Sequence, residues 1–142
     1  PYIQTAGARM KKYEVDRTAY ADGRLPDNDI VLFRFADVLL MRAEAAVRNG
    51  GDGQSGLDAV RRRVGMGARP ATLDNILAER LLELSWEGWR RQDLIRFGRF
   101  TKAYDLRTPV DNEETGFTTV FPIPEKCIEL NGNFRQNTGY DK

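Results

Sequence analysis

The chain of 142 residues carries 22 Lys and Arg against 21 Asp and Glu, with 41% hydrophobic and 10% aromatic residues. That is enough for one domain with a core, and the even charge balance points to neither a nucleic-acid nor an anionic-membrane partner. It contains no histidine, which removes Ser-His-Asp and Cys-His nucleophile systems and His-ligated metals, and its lone Cys127 excludes an internal disulfide and a zinc site.

Cys127 is expected to act as a small buried hydrophobe. No window reaches the 18 or so uninterrupted apolar residues of a membrane span, and the opening PYIQTAGARM lacks the apolar region of a signal peptide. The chain itself is therefore expected to be soluble. Its start in polar, irregular sequence without an initiator methionine suggests a piece of a longer protein.

Residues 1–29 are polar and turn-rich, with at most a short strand near residues 10–15 and a loop at Gly23, Pro26, Asp27 and Asn28. From Ile30 the period becomes helical. Leu32, Phe35, Ala36, Leu39, Leu40, Ala43 and Val47 share one face, Asp29 is placed to cap it, and Asn49-Gly50-Gly51 stops it. A second helix follows, with Ser55 and Asp58 at capping-box spacing and Leu57, Val60 and Val64 leading to Gly65. The alanines at 43, 45, 46 and 59 let the pair approach closely, as in one tetratricopeptide-type hairpin.

Thr72 caps a third helix that turns Leu73, Ile76, Leu77, Leu81 and Leu84 inward. Gly88 offers a bend, and a fourth helix over residues 89–97 presents Trp89, Leu94 or Ile95, and Phe97 before Gly98 ends it. Beyond Phe100 the helical pattern is gone, with a strand expected over residues 117–121. The tail carries Phe121, Ile123, Ile128, Leu130, Phe134 and Tyr140 as apolar anchors to pack on the helices, and Pro122 and Pro124 set an extended path.

Charges crowd residues 75–100. Glu79, Glu83 and Glu87 recur every four residues, with Arg80, Arg90, Arg91 and Arg96 at compensating helical spacings. A glycosidase pair must flank its bond from opposite sides, whereas these carboxylates share a stripe, so the block reads as an ion-pair network. Trp86 and Trp89 are expected in the core or against the tail. Loop aromatics Tyr2, Tyr20, Tyr104 and Phe117 are the candidates for stacking on sugar. The arginines at 61–63, 90, 91 and 99 are balanced by acids, and Asp111-Asn112-Glu113-Glu114 reads as a solvated turn without calcium-loop spacing. No catalytic, metal-binding or cofactor residue emerges.

Four pieces then occur in one order: FRFADVLLMRAEA from Phe33, AVRRRVGM from Ala59, AERLLELSWEGWRRQDLIRFG from Ala78, and FPIP with NFRQNTGY toward Tyr140. Together they resemble the C-terminal part of SusD/RagB family proteins. The resemblance implies a cell-surface, outer-membrane lipoprotein of a starch-utilization-type system. Such a protein binds a glycan or other nutrient without catalysis or cofactor and works with a SusC-like TonB-dependent transporter. It also implies that glycan-contacting aromatics lie mostly elsewhere in the parent, so Arg34, Asp37, Glu44, Arg80, Glu83, Glu87, Arg90, Asp93 and Arg96 read as structural ion-pair residues.

The expected fold is one all-α, C-terminal domain of tetratricopeptide-like hairpins, helical over about residues 30–98, with a long irregular tail over about 99–142 and little sheet. The alternative is a tetratricopeptide-like interaction module that binds a peptide or partner protein.

Overall fold

A computed structural model describes residues 11–14, 28–103 and 107–140. Helices α1 (Phe35–Arg48), α2 (Gln54–Arg63), α3 (Leu73–Glu83) and α4 (Arg90–Arg96) precede two 3-10 turns, Glu113–Thr115 and Phe117–Thr119, and a short α5 (Glu125–Leu130). The fold is all-α, and no strand occurs among the described residues.

Helix α1 begins at Phe35, later than its apolar period suggests. Arg34, not Asp29, occupies the cap position in extended backbone without a side-chain cap. The cause lies in what Arg34 reaches, since its guanidinium extends to the carboxylates at the end of α3. As a result Ile30, Leu32, Phe33 and Phe35 are exposed, and the buried stripe of α1 is Asp37, Leu40, Ala43 and Glu44.

Helix α2 is preceded by Gly53 with no side-chain cap, so Ser55 does not cap it. Asp52 Oδ1 instead accepts from the Gln54 amide at 2.8 Å, and Gln54 Nε2 donates to Asp58 at 2.8 Å. The α1–α2 approach depends on glycine. A Cβ on Gly56 would lie 2.7 Å from the Leu39 carbonyl oxygen, and one on Gly53 2.5 Å from that of Ala43. At this crossing Leu40, Leu57 and Val60 form the core, with Ala36, Leu39 and Ala71 packed around them.

Thr72 does cap α3, its hydroxyl accepting from the Asn75 amide at 3.2 Å. Ile76, Leu77, Leu84 and Leu94 extend the core, whereas Leu81 faces solvent. The chain turns after α3 with Trp86 at φ +64° and Gly88 at φ +81°. Gly98 at φ +65° follows α4.

In the tail, the expected strand over residues 117–121 is a 3-10 turn followed by an extended path. Helix α5 lay unseen in the sequence because six residues are too few to display a period. Phe121, Leu130, Phe134 and Cys127 are exposed, contrary to their expected burial, because the tail is tied chiefly to itself. Gln136 Oε1 accepts from Ile123 N and its Nε2 donates to Ile123 O, both at 2.8 Å. Asn137 Nδ2 donates to Phe121 O at 2.7 Å, and the Tyr140 hydroxyl to Val120 O at 3.0 Å. Flanked by prolines that have no N–H, Ile123 supplies the one backbone donor of the 122–124 stretch, and the Gln136 amide pairs with it as a strand would.

Candidate functional site

The sequence pattern suggested pairs within helices, and the structure redirects most of them between helices. Arg80 sits at the centre, 2% exposed, donating from Nε to Asp93 Oδ1 and from Nη1 to Asp37 Oδ1, each at 2.8 Å. Asp37 is 0% exposed, and among the described residues its Oδ2 is the one buried side-chain polar atom without a hydrogen-bond partner. Arg96 bridges Asp93 at 2.7 Å and Glu44 at 2.6 Å, and Arg48 closes on Glu44 at 2.7 Å. One continuous chain of charge thus joins α1, α3 and α4. Burial works against the Arg80 charge, and hydrogen bonds and Coulomb attraction from Asp93 and Asp37 overcome it, so its pKa is raised.

A second cluster closes the end of α3. Arg34 holds Glu87 through Nε at 2.8 Å and also binds Glu83, which accepts from Arg63 as well. Lys12 reaches Glu87 at 2.7 Å and the Glu83 carbonyl at 2.7 Å. Burial alone would lift the Glu87 pKa, but the hydrogen bonds from Arg34 and Lys12 and their charges bring it below the usual carboxylate value. Glu79 belongs to neither cluster and pairs with buried Arg61 of α2. The glutamates spaced by four therefore serve two separate sets of cations, Arg61 for Glu79 and the shared Arg34 with Arg63 and Lys12 for Glu83 and Glu87.

Arg90 departs from its expected place, since its guanidinium meets the Leu77 carbonyl at 3.4 Å and, among the described residues, no carboxylate. Arg61, Arg63, Arg48 and Lys12 supply the cations not expected in the network. Glu113 is also unlike its expectation. Rather than lying in a solvated turn, it is buried, accepting from Thr118 at 2.7 Å, from Val110 N at 3.0 Å and from Arg107. The Thr118 bond leads these contacts in lowering its pKa.

Of the stacking candidates, Tyr2, Tyr20 and Tyr104 lie outside the described residues. Phe117 is half-buried, its ring edge-on to Tyr140 with centroids 5.1 Å apart, beside a cavity of about 570 Å³ that Asn112, Thr119 and Asn137 also line. Trp89 meets Phe33 at 5.5 Å, but Trp86 is solvent-facing, against the expectation of burial. The only sequence hint of this was the nearby Gly88, a turn residue inside an otherwise helical run. Among the described residues no group of three His, Cys, Asp or Glu side chains is placed to hold a metal ion, and no helix is long and apolar enough to cross a membrane.

The buried carboxylates of α1, α3 and α4 are each held by guanidinium groups that tie one helix to another. The SusD family model matches residues 4–140, and the chain belongs to that family. It is similar to the starch-binding protein SusD of Bacteroides thetaiotaomicron, 34% identical over 139 residues that cover 93% of this chain and 25% of that protein. SusD-like protein P38 of Formosa agariphila is 29% identical over 157 residues, covering 99% of this chain and 30% of its own length.

Among solved structures, surface glycan-binding protein A from Bacteroides thetaiotaomicron in complex with laminarihexaose superposes with a TM-score of 0.67 at 32% identity. The match covers 82% of this chain and 26% of that one. A laminarin-binding SusD-like protein gives a TM-score of 0.61 at 37% identity, over 77% and 23%. The chain therefore spans 25% and 30% of the lengths of the two curated relatives it matches.

Proposed function

We propose that this chain is the non-catalytic helical scaffold of a cell-surface glycan-binding protein, held at the outer membrane by a lipid anchor, which passes its ligand to a SusC-like TonB-dependent transporter. The carrying observation is membership of the SusD family, with relatives named for binding starch, glycan and laminarin at 34%, 32% and 37% identity. The charge network supports the scaffold role, because its buried carboxylates are paired with cations from other helices and so fix the helices to one another. In this reading Arg34, Asp37, Glu44, Arg80, Glu83, Glu87, Asp93 and Arg96 hold the body on which glycan-contacting loops are mounted.

The test is a glycan array against the full-length protein that carries this chain, paired with a pull-down of the transporter. Binding of at least one oligosaccharide and recovery of a TonB-dependent transporter are expected, with no release of reducing sugar. A protein that retains no glycan defeats the proposal. The exposed α1 residues Phe35, Val38 and Met41 favour the second reading, a module docking a partner polypeptide; that reading predicts recovered protein with an empty array.

A further inference from the structure

Trp86 combines properties that the scaffold does not use. Its φ of +64° is strained for any residue bearing a Cβ, and such outliers persist where the surroundings or a function require them. The side chain is nevertheless turned outward, the residue being 75% exposed. It forms one wall of a cavity of about 420 Å³, a volume suited to a small ligand, with Leu81, Leu84, Ser85, Arg90 and Arg91 among the other walls.

The charges in this cleft do not cancel. Arg80 also borders it, but its guanidinium is neutralised by Asp37 and Asp93. Arg91 donates to the Thr118 and Thr119 carbonyls, both at 3.0 Å, and lies over the rings of Phe121 at 4.2 Å and Phe100 at 5.1 Å. Arg90 has the long contact to Leu77 O. Neither has a carboxylate partner among the described residues, and no acidic side chain lines the cavity. The cleft therefore offers one flat indole and two guanidinium groups lacking carboxylate partners.

A pyranose presents a C–H face that packs on an aromatic ring, and a carboxylate or sulfate on that sugar matches the planar fork of arginine. We infer that the cleft between the end of α3 and the start of α4 is a subsite for an anionic pyranose, its ring stacked on Trp86 and its carboxylate or sulfate received by Arg90 and Arg91. The inference rests on the glycan-binding reading above and adds the class of sugar. A neutral glycan would stack equally well but would give both guanidinium groups no anionic partner, leaving Arg91 with its carbonyl and ring contacts and Arg90 with its long contact to Leu77 O.

Calorimetric titration of the chain uses three probes: a galacturonic acid hexamer, a sulfated carrageenan hexamer and neutral laminarihexaose. At least one anionic probe should bind about tenfold or more tighter than laminarihexaose, the share expected of a charge-assisted contact, and the tighter of the two identifies carboxylate or sulfate. Added salt should weaken that binding and leave laminarihexaose unaffected. Trp86→Gly should lower affinity about tenfold while raising the melting temperature, because glycine relieves the positive φ. A ring needed only for folding would lower both. Arg90→Gln should cost about tenfold against the anionic probe alone, and Arg90→Lys should recover part of it.

The inference is overturned if laminarihexaose binds as tightly as both anionic probes, or if Trp86→Gly and Arg90→Gln both bind like wild type. It is also overturned if no sugar titrates and Trp86→Gly merely dissolves a dimer seen by gel filtration, which would make this face a contact between copies. A full-length protein that still binds a neutral glycan, indifferent to these substitutions, would remove the subsite and leave the broader reading intact.

Discussion

Replacing Arg80 by alanine should be among the most damaging single changes this scaffold can suffer. The substitution leaves Asp93 with Arg96 alone and leaves Asp37 with no cation, although Asp37 is fully buried and already has one oxygen without a hydrogen bond. Breaking a buried pair by removing one partner costs about 3–5 kcal/mol, a large share of the roughly 5–15 kcal/mol that separates folded from unfolded chains. At about 2–4 °C per kcal/mol, the melting temperature should fall by about 6–20 °C. The more revealing variant removes the whole node. Arg80→Met with Asp37→Leu and Asp93→Leu replaces three buried charges by apolar groups, a change that is often neutral or stabilising by about 1–4 kcal/mol. Circular dichroism melts and urea midpoints would compare wild type, single and triple variants. An Arg80→Ala midpoint within about 1 kcal/mol of wild type, or a triple variant as damaged as the single, would refute the reasoning, since coupled residues must depart from additivity.

Two further outcomes follow from other parts of the fold. Gly56→Ala should lower the melting temperature, because fitting a Cβ 2.7 Å from the Leu39 carbonyl costs about 1–3 kcal/mol against a helix-propensity gain of up to about 1 kcal/mol; a raised melting temperature would show that α1 and α2 separate freely. The Glu87 pKa is lowered on folding, so its stabilisation is complete above the unfolded value of about 4.3 and is lost as pH falls through the folded value. The stability gap between wild type and Glu87→Gln, read from denaturant midpoints, should shrink in that acid window. A gap constant from about pH 7 to pH 3 would show that Arg34 and Lys12 do not depend on the Glu87 charge.

What the sequence made legible was mostly local. Thr72 announces its helix because its hydroxyl need reach only three residues along the chain, and Leu40, Leu57 and Val60 announce the core because periodicity reports a face. The partner of a face is not written in its period. Arg80 lies three residues before Glu83, and helical spacing suggested that pair, yet its acids are Asp37 and Asp93, 43 and 13 residues away. The start of α1 misled for the opposite reason: Ile30, Leu32 and Phe33 continue an apolar pattern through backbone that Arg34 holds extended toward α3. Trp86 read as core because hydrophobic patterns carry no sign of φ, and α5 was missed because its six residues fall below two helical turns.

The Gln136 clip makes the tail a closed circuit. Its bonds run from residues 136, 137 and 140 back to 123, 121 and 120, so each depends on a short loop rather than on the helical body. Loops of that length close at modest entropic cost, and segments held this way open as cooperative units in hydrogen exchange. Shortening the chain by the few residues that include Gln136 and Tyr140 should loosen the strap as far back as Val120, with Arg91 against Phe121 and the Thr118 and Thr119 carbonyls left as its hold on the helices.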